Sequence, residues 1–129
     1  MAEYITKLDM SAFVMDYDHN APSPEYLQET HARFFQVIRS ARPDLPIILM
    51  TKPDYNRTVR TDALRRSIVF ATYRQALDAG DEHVFFVDGE RLFGSFLRDS
   101  CTVDGCHPND LGFMRMAEAL YPTLAALMP

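Results

Sequence analysis

Pro43-Asp44-Leu45-Pro46-Ile47-Ile48-Leu49-Met50-Thr51-Lys52-Pro53 sets four consecutive apolar residues between prolines. A strand with one wet face alternates apolar and polar residues. Ile47 to Met50 does not, so it reads as a parallel strand covered on both faces. Helices must supply that cover, and the flanking sequence offers them.

Upstream, Ser23 reads as an N-cap, with Pro24 at the first helical position and Glu25 in the first turn, next to the positive helix end. A helix is expected from Pro24 to about Ala41. Leu27, Phe34, Val37, Ile38 and Ala41 recur at helical spacing, with Gln28, Arg33, Gln36 and Arg39 opposite, and Pro43 and Pro46 close it. Before it, Ala12 to Tyr17 reads as a short buried strand running into the polar turn Asp18-His19-Asn20-Ala21-Pro22. A polar loop at the C-terminal end of a strand is where α/β proteins hold ligands.

Downstream, the polar stretch Lys52 to Thr58 leads to a helix from about Val59 to Ala79. Leu64, Ile68, Ala71 and Leu77 are its apolar members and Gly80 its C′ residue. Val84-Phe85-Phe86-Val87 then repeats the apolar run, stopped by Asp88-Gly89. An irregular stretch from Leu92 to Gly105 precedes a last helix that starts at Asn109 or Asp110. That helix is expected to bury Phe113, Met116, Leu120, Leu124 and Leu127 and to kink at Pro122. Strands alternating with helices give the α/β class: one parallel sheet with helices on both faces, in a single unit over residues 1–129.

Composition excludes several function classes. With 47% hydrophobic and 24% charged residues the chain is neither disordered nor fibrous. A net charge of −5, with eleven arginines and two lysines scattered along the chain, argues against a nucleic-acid partner. No apolar run has the length of a membrane span, and residues 1–9 lack the basic and apolar regions of a signal peptide. The chain as written is therefore expected to be cytoplasmic; a signal peptide would be lost with a missing N-terminal part. Cys101 and Cys106 read as free thiols, although a bridge across that five-residue step is sterically allowed.

Asp104-Gly105-Cys106-His107-Pro108-Asn109-Asp110 places a carboxylate three residues before an imidazole, around a glycine. Folded back, the aspartate reaches Nδ1 of His107 and leaves Nε2 for a nucleophile, two-thirds of a hydrolytic triad. The alternative is a surface Asp-Gly turn followed by a helix cap. Asn20 likewise reads either as an Asx-type turn before a helix or as a side-chain amide donor.

The wider block Thr102-Val103-Asp104-Gly105-Cys106-His107-Pro108-Asn109-Asp110-Leu111-Gly112-Phe113 resembles the last conserved block of the SGNH hydrolases, also called GDSL esterases. Asp16-Tyr17-Asp18-His19-Asn20-Ala21-Pro22 resembles the block after the third strand in a bacterial branch with acetyl-esterase-like members. The resemblance implies a flavodoxin-like three-layer α/β/α fold and ester hydrolysis through a serine acyl-enzyme, with no cofactor. It assigns Asp104 and His107 as the catalytic aspartate and histidine and Asn20 as the oxyanion donor. Small acyl esters, acetylated carbohydrates among them, are the implied substrates.

The family also carries a serine after its first strand, in a Gly-Asp-Ser-type block, and a glycine donor after its second. Neither block is in this sequence. Ser11, Ser23, Ser40, Ser67, Ser95 and Ser100 are the six serines, and none lies on a glycine-bracketed strand-to-helix turn; Gly94-Ser95 comes nearest. The chain thus corresponds to the C-terminal three-fifths of such a domain, truncated to about three strands. Three expectations follow: little or no turnover by the isolated chain, an open edge on the strand Ala12 to Tyr17, and a homo-oligomer paired through that edge. The competing readings are a catalytically dead remnant acting as a binding or assembly module, an enzyme completed by a serine from another polypeptide, and a metal-binding hydrolase using Asp16, Asp18, His19, Asp104 and His107. His31 is expected within the first helix, packed at its boundary, His83 in solvent, and Tyr55 and Arg57 on an exposed loop or lining a cleft.

Overall fold

The computed structural model describes residues 1–53 and 59–127, so the expectations for Tyr55 and Arg57 fall outside the described residues. In chain order its elements are α1 (Ala2–Ile5), β1 (Phe13–Asp16), α2 (Pro24–Ala41), β2 (Ile47–Met50), α3 (Val59–Asp78), β3 (Val84–Val87) and α4 (Asp110–Leu127). Two short 3-10 turns, Gly89–Arg91 and Arg98–Cys101, punctuate the stretch between β3 and α4. The three strands form one parallel sheet in the order β1-β2-β3.

The register explains the unbroken apolar run of β2. Phe13, Ile47 and Val84 pair across the sheet, as do Met15, Leu49 and Phe86, and these rows pack against α2 and α3. The intervening row, Val14, Ile48 and Phe85, faces the opposite side with Met50 and Val87 and packs against Met116, Ala119, Leu120, Leu124 and Leu127 of α4. All four side chains of β2 are buried. At about 2 kcal/mol for each large apolar side chain, this strand anchors both layers of a three-layer α/β/α sandwich.

The N-terminus of α2 is built as the sequence predicts: the Ser23 hydroxyl accepts from the Tyr26 amide at 3.2 Å, with Pro24 opening the helix. Its buried face differs. Leu27, His31, Phe35 and Ile38 are buried, Phe34 and Val37 are half-buried beside the sheet edge, and Ala41 is exposed. His31 is not at a boundary but fully buried, stacked on Tyr17 with its Nδ1 2.8 Å from the Thr72 hydroxyl. Burial lowers its pKa from 6.5 to about 4, so it packs as a neutral ring. His83, by contrast, is exposed as expected.

Helix α3 departs furthest from its periodicity. Leu64 and Ala71 are exposed and Ile68 and Leu77 half-buried, whereas the buried stripe is Asp62, Arg65, Val69, Thr72 and Ala76. Three of those five are polar because they have partners: Thr72 meets His31, and Asp62 and Arg65 reach the loop after β1. Phe113 of α4 is likewise exposed rather than buried; α4 instead buries Gly112, whose added Cβ would lie 2.2 Å from the Cys101 carbonyl oxygen. The helix continues through Pro122. The four-residue α1, which has no side-chain cap, was not evident from periodicity; it packs Ala2 and Ile5 onto the core between the sheet and α2 and α3.

Within the sheet β1 pairs with β2 alone, and a groove of about 1030 Å³ runs along its other side. Consecutive residues from Phe13 to Tyr17 form its floor, Phe34 and Val37 of α2 one wall and Ile5 of α1 another.

Candidate active site

The loop between β3 and α4 is organised for one turn. Asn109 caps α4, its Oδ1 accepting from the Gly112 amide at 3.0 Å, while its Nδ2 donates to the Ser100 carbonyl at 2.7 Å. Val103 N donates to His107 O at 2.9 Å and Asn109 N to Cys101 O at 3.0 Å, closing a short antiparallel bridge between Thr102 and Pro108. Between the bridged residues the chain must reverse, and Gly105 does so at φ +85°, a conformation that costs glycine little. The Thr102 hydroxyl accepts from Gly105 N at 3.1 Å.

That reversal turns Asp104 toward His107. Asp104 Oδ2 lies 2.7 Å from His107 Nδ1, while Oδ1 accepts from the amides of His107 at 2.8 Å and Cys106 at 2.9 Å. Those bonds, led by the His107 amide, hold the Asp104 carboxyl well below the usual carboxylate range. An ionised carboxylate on Nδ1 selects the tautomer with its proton there and leaves Nε2 as the basic nitrogen. The imidazole is about three-quarters exposed, so Nε2 is open to a second group.

Asn20 lies on the loop after β1, at the same C-terminal rim of the sheet. It is exposed and lines the mouth of the β1 groove with Tyr26 and Thr30. On either side of the exposed pair His19 and Asn20, Asp18 and Ala21 are buried. Arg65 donates from Nη2 to the Ala21 carbonyl at 3.0 Å and from Nη1 to the Asp18 carbonyl. Asp18 Oδ2 accepts from the Lys52 amide at 2.8 Å; burial nonetheless raises its pKa, against the pull of that bond. Asp62 takes His19 Nε2 at 3.1 Å and Lys52 Nζ at 3.6 Å. Asp104 and His107 are therefore brought together directly, whereas Asn20 shares only their rim. With β1 and β3 separated by β2, the two loops rise from strands about 10 Å apart.

The profile of the GDSL-like Lipase/Acylhydrolase family matches residues 1–125. The chain belongs to that family. A chain from Bacteroides ovatus ATCC 8483, assigned as a GDSL-like lipase, superposes on this GDSL-like chain with a TM-score of 0.82 at 26% identity. The match covers 98% of this chain and 38% of that one. A salicylyl-acyltransferase from a tetracycline biosynthetic pathway shares the fold at a TM-score of 0.76 and 22% identity, over 98% of this chain and 40% of its own. This GDSL-like chain thus spans about two-fifths of the length of either solved relative. No curated protein matches it.

Among the described residues of this GDSL-like chain no serine hydroxyl reaches His107, whose side chain bonds to Asp104. Ser23 is spent on capping α2 and Ser67 donates to the Leu64 carbonyl. Asp16 ends β1 and Asp18 and His19 stand on the loop after it, away from Asp104 and His107, and no group of three metal-ligating side chains gathers among the described residues. Cys101 is buried and Cys106 exposed, both as free thiols. No helix among the described residues is long and apolar enough to cross a membrane. The residues that periodicity missed are Asp62 and Arg65. Their signal was an Asp-x-x-Arg pair at helical spacing, at positions where an amphipathic helix would carry apolar side chains.

Proposed function

We propose that this chain supplies the acid–base half of a serine acyl-transfer site. His107 is the base, Asp104 orients it, and Asn20 donates to the developing oxyanion. The observation that carries this reading is the 2.7 Å contact between Asp104 Oδ2 and His107 Nδ1, with the other carboxylate oxygen fixed by two backbone amides. A carboxylate held on three sides keeps one imidazole tautomer and stabilises the imidazolium formed when Nε2 takes a serine proton. That proton then passes to the leaving alcohol, and water repeats the sequence on the acyl-enzyme. Losing one oxyanion donor such as Asn20 costs about 2.7 to 4 kcal/mol of barrier in comparable sites.

The nucleophile belongs to a segment outside these 129 residues, and the groove on β1 is its entry. A strand parallel to β1 in that groove ends at the rim lined by Asn20, which suits delivery of a serine there. Small acyl esters, acetylated carbohydrates included, are the substrate class. With the edge of β1 open, two copies of the isolated chain pair through it, and light scattering on this chain is expected to give a mass above 14.8 kDa. A monomer at every accessible concentration refutes the pairing.

The decisive experiment is hydrolysis of p-nitrophenyl acetate. The isolated chain is expected to give trace turnover. A longer product of the same reading frame, carrying a strand followed by Gly-Asp-Ser or Gly-x-Ser, is expected to give turnover abolished by His107→Ala. Strong turnover by the isolated chain, or His107→Ala without effect in the longer one, overturns the reading.

A further inference from the structure

We propose that Arg65 is the positioning residue of the Asn20 loop: its guanidinium, buried on α3, holds the carbonyls on both sides of His19 and Asn20 and so fixes where the Asn20 amide points. The proposal rests on the assignment of Asn20 as oxyanion donor and extends it to a residue 45 positions away in sequence.

A guanidinium is costly to bury, and Arg65 is only 7% exposed. Its hydrogen-bond partners are two neutral carbonyls, those of Asp18 and Ala21. Its neighbours along the same stripe, Val69 and Ala76, show what the core accepts there. Replacing Arg65 alone by an apolar residue would leave the Asp18 and Ala21 carbonyls without that donor, so the cost of its loss falls on the loop that carries them. The loop has few other supports. Two buried anchors, Asp18 and Ala21, flank two exposed residues, and Arg65 is the side chain that bonds to both anchors at once.

The remaining contacts confine the same loop from other directions. The Lys52 amide at the end of β2 holds the Asp18 carboxylate, and Asp62, one turn before Arg65 on α3, holds His19. Together they leave Asn20 as the residue whose side chain projects freely from a fixed backbone. An oxyanion donor needs that: a preorganised amide, held in place before charge develops.

The test is nuclear relaxation on the isolated chain, comparing Arg65→Met and Arg65→Lys with the parent. Order parameters near 0.85 are expected for the parent loop. In Arg65→Met they should fall below about 0.6 at residues 18–21 while the amides of β2 stay rigid. The side-chain amide resonances of Asn20 should shift with them, and Arg65→Lys should restore part of both. An unchanged loop in Arg65→Met overturns the proposal, as does disorder spreading equally through β2, which marks Arg65 as an ordinary core support. If the methionine variant does not fold, Arg65→Lys decides: loosening confined to residues 18–21 supports the role, and uniform loosening refutes it. These readouts do not depend on turnover, so a failure of the acyl-transfer reading leaves them standing.

Discussion

His31 should make the stability of this chain depend on pH in a window where most proteins of its size are steady. Its ring is fully buried, and burial depresses its pKa from 6.5 to about 4. Above pH 6.5 the ring is neutral in both folded and unfolded chains and contributes nothing to the pH dependence. As pH falls through 6.5 the unfolded chain takes up a proton that the folded chain refuses, so stability drops; below about 4 both forms are charged and the loss stops. The interval from 6.5 to about 4, at about 1.4 kcal/mol per pH unit, gives a loss of about 3 kcal/mol. Against a typical stability of about 5–15 kcal/mol this is a large fraction. The control is His31→Phe, which keeps a flat ring on Tyr17 and leaves the Thr72 hydroxyl free to use the Ile68 carbonyl. Urea unfolding of both proteins at half-unit steps from pH 7.5 to 4 checks it. Carboxylates with shifted pKa, such as Asp18 and Asp88, are common to both and cancel in the difference. The difference curve is expected to slope toward the variant by about 3 kcal/mol as pH falls. Parallel curves would show that His31 takes up its proton in place, and would refute the reasoning.

Asp104→Asn should keep the turn, because the amide oxygen can still accept from the Cys106 and His107 amides, yet its NH2 must then face His107 Nδ1. Long-range 15N spectra are expected to show the His107 proton moving from Nδ1 to Nε2, with the thermal midpoint nearly unchanged. Gly112→Ala is expected to cost about 2 kcal/mol in urea unfolding, because its Cβ would lie 2.2 Å from Cys101 O and α4 must retreat from the loop that carries Asp104. Arg39→Ala should cost about 3 kcal/mol by the same assay, since Arg39 Nε donates to Asp81 at 2.7 Å and the guanidinium also holds the carbonyls of Leu45 and His83. A loss below 1 kcal/mol would mean that solvent replaces those bonds at little cost.

The strands were legible in the sequence because their cover is two-sided. Ile47 to Met50 and Val84 to Val87 are apolar without alternation since successive residues face different helix layers. The dyad was legible for a different reason: Asp104 and His107 are three residues apart, and Gly105 with Asn109 closes the turn locally. Longer-range relations were not. Nothing in the spacing of Phe34, Val37 and Ile38 tells which of them meets the core and which lines an open groove; that depends on where α1 and the edge of β1 lie. Helix α3 defeated periodicity outright, because its buried positions Asp62, Arg65 and Thr72 find partners more than 40 residues away.

Arginine placement gives a physical account of how so small a sheet holds such long loops. Three strands of four residues each supply a short ladder, too short to dictate the course of the chain beyond their ends. At the N-terminal rim Arg39 gathers the carbonyls of Arg42, Pro43, Leu45 and His83. Arg65 does the same for Asp18 and Ala21 at the C-terminal rim, and Arg115 of α4 for Phe93 and Phe96 in the stretch leading to the dyad. A planar fork with five donors can bind several carbonyls at once, which lysine cannot do with the same geometry. Eleven arginines against two lysines in a chain of net charge −5 are therefore in part a structural inventory. The cations that look scattered in sequence are, at positions 39, 65 and 115, the clamps that place its loops.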